Sequence, residues 1–255
     1  MKDKVAVVTG SSQGIGAGIA ELLGDKGYAV VVTYRNNNDK AEKVVKRIKS
    51  KGGEAIAVEL DVTNEQSVKA CFETVASQYG KLNVLVNNAG ADGLTPIEDT
   101  TYEKWREIVG PKIEGNFLCT KYALPLLQKC DKSDLIVIMS SLGDIPDVKD
   151  IAYSVGTAGA VGFVKVMARA LAKYGIRTNG VGPTAVRTTL GYYEESNLTS
   201  DEAWGEIAKS NPLGRVATVE DVAETVLTVI DNPSQFWNGN FVYVTGGDHI
   251  SITEA

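Results

Sequence analysis

Val5-Ala6-Val7-Val8-Thr9-Gly10-Ser11-Ser12-Gln13-Gly14-Ile15-Gly16 is an apolar run that breaks into three glycines and then resumes as a helical pattern. A strand feeding such a turn onto a helix N-terminus aims several backbone N–H groups and the positive end of the helix dipole at one place, which suits a pyrophosphate. Gly10 permits the tight turn, Gly14 lets backbone approach a phosphate, and Gly16 allows close helix packing. Ser12, Gln13 and Ile15 fill the turn and are expected to face the same ligand. Glycines at this spacing also occur in ordinary turns, so the context decides. A helical pattern over residues 17–27 and a second apolar strand over 29–33 arrive where a βαβ unit needs them.

Strand-like apolar runs near 5–9, 29–34, 54–60, 82–86, 134–140, 177–182 and 240–244 alternate with amphipathic helical stretches. Near-continuous Val/Ile/Leu strands in such alternation indicate an α/β fold, a doubly wound parallel sheet covered on both faces. Ligands then gather at the carboxyl ends of the strands. With 255 residues, 44% hydrophobic and 23% charged, the chain can bury one large core, and no linker, repeat or low-complexity stretch divides it. The expectation is a single domain over 1–255 with a substrate lid near 189–212. A formal charge of −6 argues against nucleic acid as a partner, because a phosphate backbone demands a basic face. Met1-Lys2-Asp3-Lys4 leads directly into the first strand, and no apolar run reads as a membrane span, so no signal peptide, no membrane and a cytoplasmic location are expected. Cys71, Cys119 and Cys130 lack paired metal-ligand spacing, His249 is the sole histidine, and no metal is expected.

Candidate ligand groups follow the strands. Tyr34-Arg35-Asn36 lacks the acid that would bind a free ribose 2′-hydroxyl, and Arg35 can pair with a 2′-phosphate instead, which points to NADP(H); a solvated loop arginine is the plainer use. Leu60-Asp61-Val62 offers a carboxylate that could accept from an adenine amino group. Asp61 could equally cap the helix beginning near Asn64, a task Thr63 could also perform.

Thr9-Gly10-x-x-x-Gly14-x-Gly16, Asp61-Val62, Asn87-Asn88-Ala89-Gly90, Ser140-Ser141, Tyr153, Asn211-Pro212-Leu213-Gly214-Arg215 and Thr245-Gly246-Gly247 together resemble the short-chain dehydrogenase/reductase family over nearly the whole chain. The resemblance implies a Rossmann fold in which Asn88, Ala89 and Gly90 support the sheet and the adenosine-ribose side of the site. It implies that Ser141 holds a substrate carbonyl and that Tyr153, beside the cofactor, passes the proton. Val181-Gly182-Pro183-Thr184-Ala185-Val186-Arg187-Thr188 is similar to the segment whose backbone holds the nicotinamide amide, so Pro183, Val186 and Thr188 are cofactor candidates, with Thr184 standing where the family has glycine. Tyr192, Tyr193, Glu194, Glu195 and Trp204 fall in the lid. A homotetramer or homodimer through the long helices near 101–130 and 152–173 is also implied.

Hydride transfer to a carbonyl leaves an alkoxide that must be stabilised and protonated. A free phenol has a pKa of about 10, so proton transfer near neutrality wants a cation beside it. The family's lysine stands four residues after the tyrosine; here that position is Thr157. Upstream, Pro111-Lys112-Ile113-Glu114-Gly115 carries Lys112 at the position of the family's catalytic asparagine, with Asn116 one turn later. The exchange resembles ketoreductase domains of modular polyketide and fatty-acid synthases. The expected working set is therefore Ser141, Tyr153 and Lys112, with Thr157 in the vacated position. The plainer uses are a solvent-facing lysine at 112, helix packing at 157, a cap at 141 and a core aromatic at 153. Lys149 and Lys165 are poorly spaced to substitute, and Pro111 should loosen the helix ladder. These residues lead to an NADP(H)-dependent carbonyl reductase for a small-molecule ketone or β-ketoacyl thioester. The alternative, motivated by Thr157 and Thr184, is a cofactor-binding, catalytically weak partner subunit of a heteromeric reductase.

Overall fold

The computed structural model describes residues 4–91, 93, 95–140, 147–188 and 200–248. Seven strands, β1 (Val5–Val8), β2 (Ala29–Tyr34), β3 (Glu54–Glu59), β4 (Val84–Asn87), β5 (Ser133–Ile138), β6 (Ile176–Pro183) and β7 (Phe241–Val244), form one sheet in the order β3-β2-β1-β4-β5-β6-β7. Every neighbouring pair is parallel. The chain runs outward from β1 to β3 and then returns to β4 on the other side of β1. That reversal opens a crevice beyond the carboxyl ends of β1 and β4.

The helices are α1 (Gly14–Asp25), α2 (Asn38–Ser50), α3 (Glu65–Tyr79), α4 (Tyr102–Gly110), α5 (Asn116–Leu127), α6 (Ile151–Leu171), α7 (Ser200–Ser210) and α8 (Val219–Ile230). Side chains alternate across a strand, so Ala6 and Val8 join α1, α2 and α8 in one core while Val5 and Val7 join α3, α5 and α6 in the other. Both faces are dry, which is why the strands read as continuous apolar runs rather than alternating ones.

Two expectations need correction. Asn64, not Thr63, caps α3, accepting from the backbone N–H groups of Gln66 and Ser67, while Thr63 is itself bound to Asp61. The stretch Ile151–Tyr174 is long and apolar enough to cross a membrane by length and composition, contrary to the reading that no run is. In this fold it is a core helix, with Ala160, Val164 and Leu171 packed into the α3/α5 side of the core.

Charge is also buried at the amino ends of the strands. Asp134 on β5 stands opposite Arg177 on β6, and Arg177 Nη2 lies 2.8 Å from Asp134 Oδ1 with both side chains under a tenth exposed.

Candidate active site

The glycine-rich turn is fixed from three sides. Ser11 Oγ donates to the Val8 carbonyl and accepts from Thr33 N–H, while Gly10 N–H donates to Thr33 Oγ1, tying the turn to β2. Thr9 Oγ1 accepts from the N–H groups of both Asn88 and Ala89, and Asn88 Nδ2 donates back to the Thr9 carbonyl, tying it to the turn after β4. Gly10 has φ +63°, and a Cβ there would stand 2.9 Å from Ala89 Cα; a Cβ on Gly16 would stand 2.5 Å from Asn88 Nδ2. Neither position has room for a side chain. α1 begins at Gly14 with no acidic residue in its first turn, and Gln13 gives it no side-chain cap, so its first N–H groups are open to an anion.

A cavity of about 670 Å³ lies over this turn, within the range typical of small-molecule sites. Gly10, Ser12, Gln13, Ile15 and Gly16 line its floor, and Gly14 sits beneath Thr188 at its edge. Arg35 lines one end, Asp61 and Val62 the side after β3, and Asn88, Ala89 and Gly90 the side after β4. Pro183 at the end of β6, with Val186 and Thr188 beyond it, lines the far wall. Asp61 Oδ1 accepts from Thr63 N–H and Thr63 Oγ1, so it stabilises its own turn while facing the cavity.

Lys40 is a cavity residue that sequence reasoning missed. It stands in the first turn of α2, whose cap Asn37 accepts from Lys40 N–H, and its Nζ donates to Gln13 Oε1 at 2.6 Å. Two cations, Arg35 and Lys40, therefore line the same end of the cavity. The only cue in the sequence was a lysine one turn past a capping asparagine.

At the other end, Tyr153 sits in the first turn of α6. Asp150 caps that helix, accepting from Tyr153 N–H and Thr95 Oγ1, while Thr95 Oγ1 accepts from Ala152 N–H. This lock sets where the phenol stands. Lys112 belongs to a five-residue π-turn, Pro111–Gly115, which joins α4 to α5 where the proline was expected to loosen the ladder. It is 8% exposed, and its Nζ lies 4.0 Å from the centroid of the Tyr153 ring. Among the described residues its ammonium makes no hydrogen bond or ion pair. Asn116, the neighbouring candidate, donates from Nδ2 to the Lys112 carbonyl and does not line the cavity.

Thr157 does not join this group. It is fully buried, its hydroxyl donates to the Tyr153 carbonyl at 2.7 Å, and it is absent from the cavity wall, as the helix-packing use would have it. Ser141 lies outside the described residues, as do Tyr192, Tyr193, Glu194 and Glu195; the preceding Ser140 lines the cavity. Trp204, on α7 in the expected lid region, lines it too. Thr184 Oγ1 donates to Asp248 Oδ2 at 2.7 Å, and both residues reach the cavity rim. Lys165 stands over Phe241 and Lys149 is exposed, so neither serves Tyr153. Among the described residues no cluster suits a metal ion.

The chain belongs to the short-chain dehydrogenase/reductase family: the family model described as enoyl-(acyl carrier protein) reductase matches residues 10–249. It is 33% identical over 244 residues to a 3-oxoacyl-[acyl-carrier-protein] reductase FabG of Staphylococcus aureus, covering 96% of this chain and 97% of that one. Among solved structures it resembles a single-substitution variant of the actinorhodin polyketide ketoreductase with NADPH, at TM-score 0.91 and 30% identity over 96% of this chain and 97% of that one. It also resembles the angucycline C-6 ketoreductase LanV with bound NADP, at TM-score 0.88 and 25% identity over 97% and 96%.

Proposed function

We propose that this chain is an NADP(H)-dependent carbonyl reductase acting on a ketone or β-ketoacyl thioester, with Tyr153, Lys112 and Ser141 as its working groups. The observation that carries the reading is the Lys112 ammonium over the Tyr153 ring, inside a cavity whose other end holds Arg35 and Lys40. The residues present fit the dinucleotide: an uncapped helix N-terminus for the pyrophosphate, two cations for a 2′-phosphate and a carboxylate, Asp61, near the adenine side. When bound, the nicotinamide supplies hydride to the carbonyl carbon. Tyr153 then gives its phenolic proton to the oxygen that has gained the charge, which completes the alcohol. Lys112 stabilises the negative charge that builds on the phenol as the proton leaves. By the family resemblance, Ser141 donates a hydrogen bond to the same substrate oxygen.

The test is NADPH oxidation by the purified protein against a panel of ketones and β-ketothioesters. Turnover of at least one, abolished by Tyr153→Phe, is expected. Tight NADPH binding with no turnover on any would favour the partner-subunit alternative. NADPH should bind more tightly than NADH, and Lys40→Ala should weaken NADPH about tenfold to a hundredfold while leaving NADH nearly unchanged, because one charge-assisted contact is removed. Arg35→Asp should reverse the preference. Parallel fluorescence titrations with both cofactors check this, and tighter NADH binding by the unmodified protein would refute it.

We extend the proposal to a homotetramer or homodimer built through α5 and α6. Phe117 on α5 is 53% exposed, Val155 and Val166 on α6 are 50% and 60% exposed, and a Cβ on Gly162 between them would meet nothing within 4 Å. Exposed apolar side chains of this kind are what a subunit contact covers. Phe117→Glu combined with Val166→Glu should lower the oligomeric state seen by light scattering. An unchanged mass would exclude this face.

A further inference from the structure

The Lys112 stem crosses α6 at Gly156. A Cβ built at 156 would stand 2.9 Å from Lys112 Cδ, 3.4 Å from Lys112 Cβ and 3.6 Å from Val109 Cα, one turn before Lys112. The first distance is shorter than Cβ atoms ordinarily approach another carbon, so the stem lies in a groove that exists because residue 156 has no side chain. Gly90 closes the far end: a Cβ there would stand 3.4 Å from Lys112 Nζ. The backbone from which the stem rises is also held. Asn87 Nδ2 donates to the Asn116 carbonyl, and Asn116 Nδ2 donates to the Lys112 carbonyl. The ammonium lies 4.0 Å from the centroid of the Tyr153 ring, and the packing of the stem helps to aim it there.

Gly156 is not required by its backbone. It lies inside α6, outside the left-handed region, where alanine is the stronger helix former. We propose that Gly156 is a positioning residue: the groove it leaves across α6 seats the Lys112 stem and so holds the ammonium over Tyr153. The proposal rests on the reading of Lys112 as the charge partner of Tyr153, and it names what makes a lysine on the α4–α5 turn able to act on a tyrosine of another helix.

Gly156→Ala should push the stem aside and lower kcat by about tenfold to a hundredfold, with KM for NADPH unchanged and thermal stability not reduced. In a Lys112→Ala background, where no stem remains to displace, the same substitution should cost nothing more; a purely structural role would cost the same in both. A readout independent of turnover is the NMR signal of the Lys112 ε-methylene in lysine-labelled protein, assigned by its loss in Lys112→Ala. Ring current from Tyr153 should shift it upfield in the unmodified protein, and Gly156→Ala should return it to the ordinary lysine position. Should the protein reduce no ketone while this signal moves as expected, the seat stands and the reductase reading fails. A signal that does not move, or an equal loss in both backgrounds, overturns the proposal.

Discussion

Lys112→Met should lower kcat by about two orders of magnitude while leaving NADPH affinity and folding nearly unchanged. Methionine keeps an unbranched stem of similar length, so it can still lie against Gly156; what it removes is the charge. The ammonium is 4.0 Å from the ring centroid; for a full charge on the phenol about 4–5 Å away, an effective dielectric of about 20 gives an attraction of about 3–4 kcal/mol. Only part of that charge has developed in the transition state, so a loss of about 2–3 kcal/mol, or roughly a hundredfold, is the reasonable scale. Lys112→Arg should recover little, because a planar guanidinium does not fit the narrow space between Gly90 and Gly156 that an ammonium fills. Steady-state kinetics with saturating NADPH check this. A fully active Lys112→Met enzyme would remove Lys112 from the chemistry.

The parallel sheet was legible because both of its faces are buried, which forces runs such as Val30-Val31-Val32 to be apolar without alternation. The cofactor candidates were legible because in such a sheet each ligand group comes at or just after the end of a strand: Arg35, Asp61 and Asn88 follow theirs, and Pro183 is the last residue of β6. Residues that reach the cavity from elsewhere left weaker marks. Lys40 arrives from a helix, and its meeting with Gln13 depends on how α2 leans on α1, which no local spacing encodes. Gly156 reads as an ordinary helix residue until the lysine of another element is laid across it. Thr157 was noticed for what it replaces, but its hydroxyl turns back onto its own helix, a local bond open to any threonine at that spacing. Asp134 and Arg177, far apart in the chain, become partners only through the β5–β6 register.

At that buried pair, Arg177→Met should cost about 3–5 kcal/mol of folding stability near pH 8, the usual scale for leaving one buried charge without its counter-ion. Arg177 Nη2 also donates to the carbonyl of Ile230 at 2.9 Å, so the guanidinium satisfies the carboxyl end of α8 as well. Its hydrogen bonds go to α8 rather than squarely to the carboxylate: Asp134 Oδ1 and Arg177 Nη1 are left without an aligned partner. Burial accordingly outweighs the attraction of Arg177, helped by repulsion from Asp231, and pushes the Asp134 carboxyl up from 3.8 to about 6. The folded state thus holds this proton more tightly than the unfolded chain does. Ionised Asp134 opposes folding by about 3 kcal/mol above pH 6, and that penalty fades as the pH falls from about 6 to about 4. Relative to Asp134→Asn, the unmodified protein should therefore gain stability on acidification through this window. Arg177→Met takes away the group that lowers the carboxyl, so its deficit should be largest at alkaline pH and should shrink as Asp134 takes up its proton. Arg177→Met with Asp134→Leu removes both charges and should restore most of the loss. Urea unfolding of the four proteins between pH 5 and 8 measures each of these differences. A pH-independent deficit in Arg177→Met, or no rescue by the second substitution, would show that the lost α8 contacts and not the stranded carboxylate carry the cost.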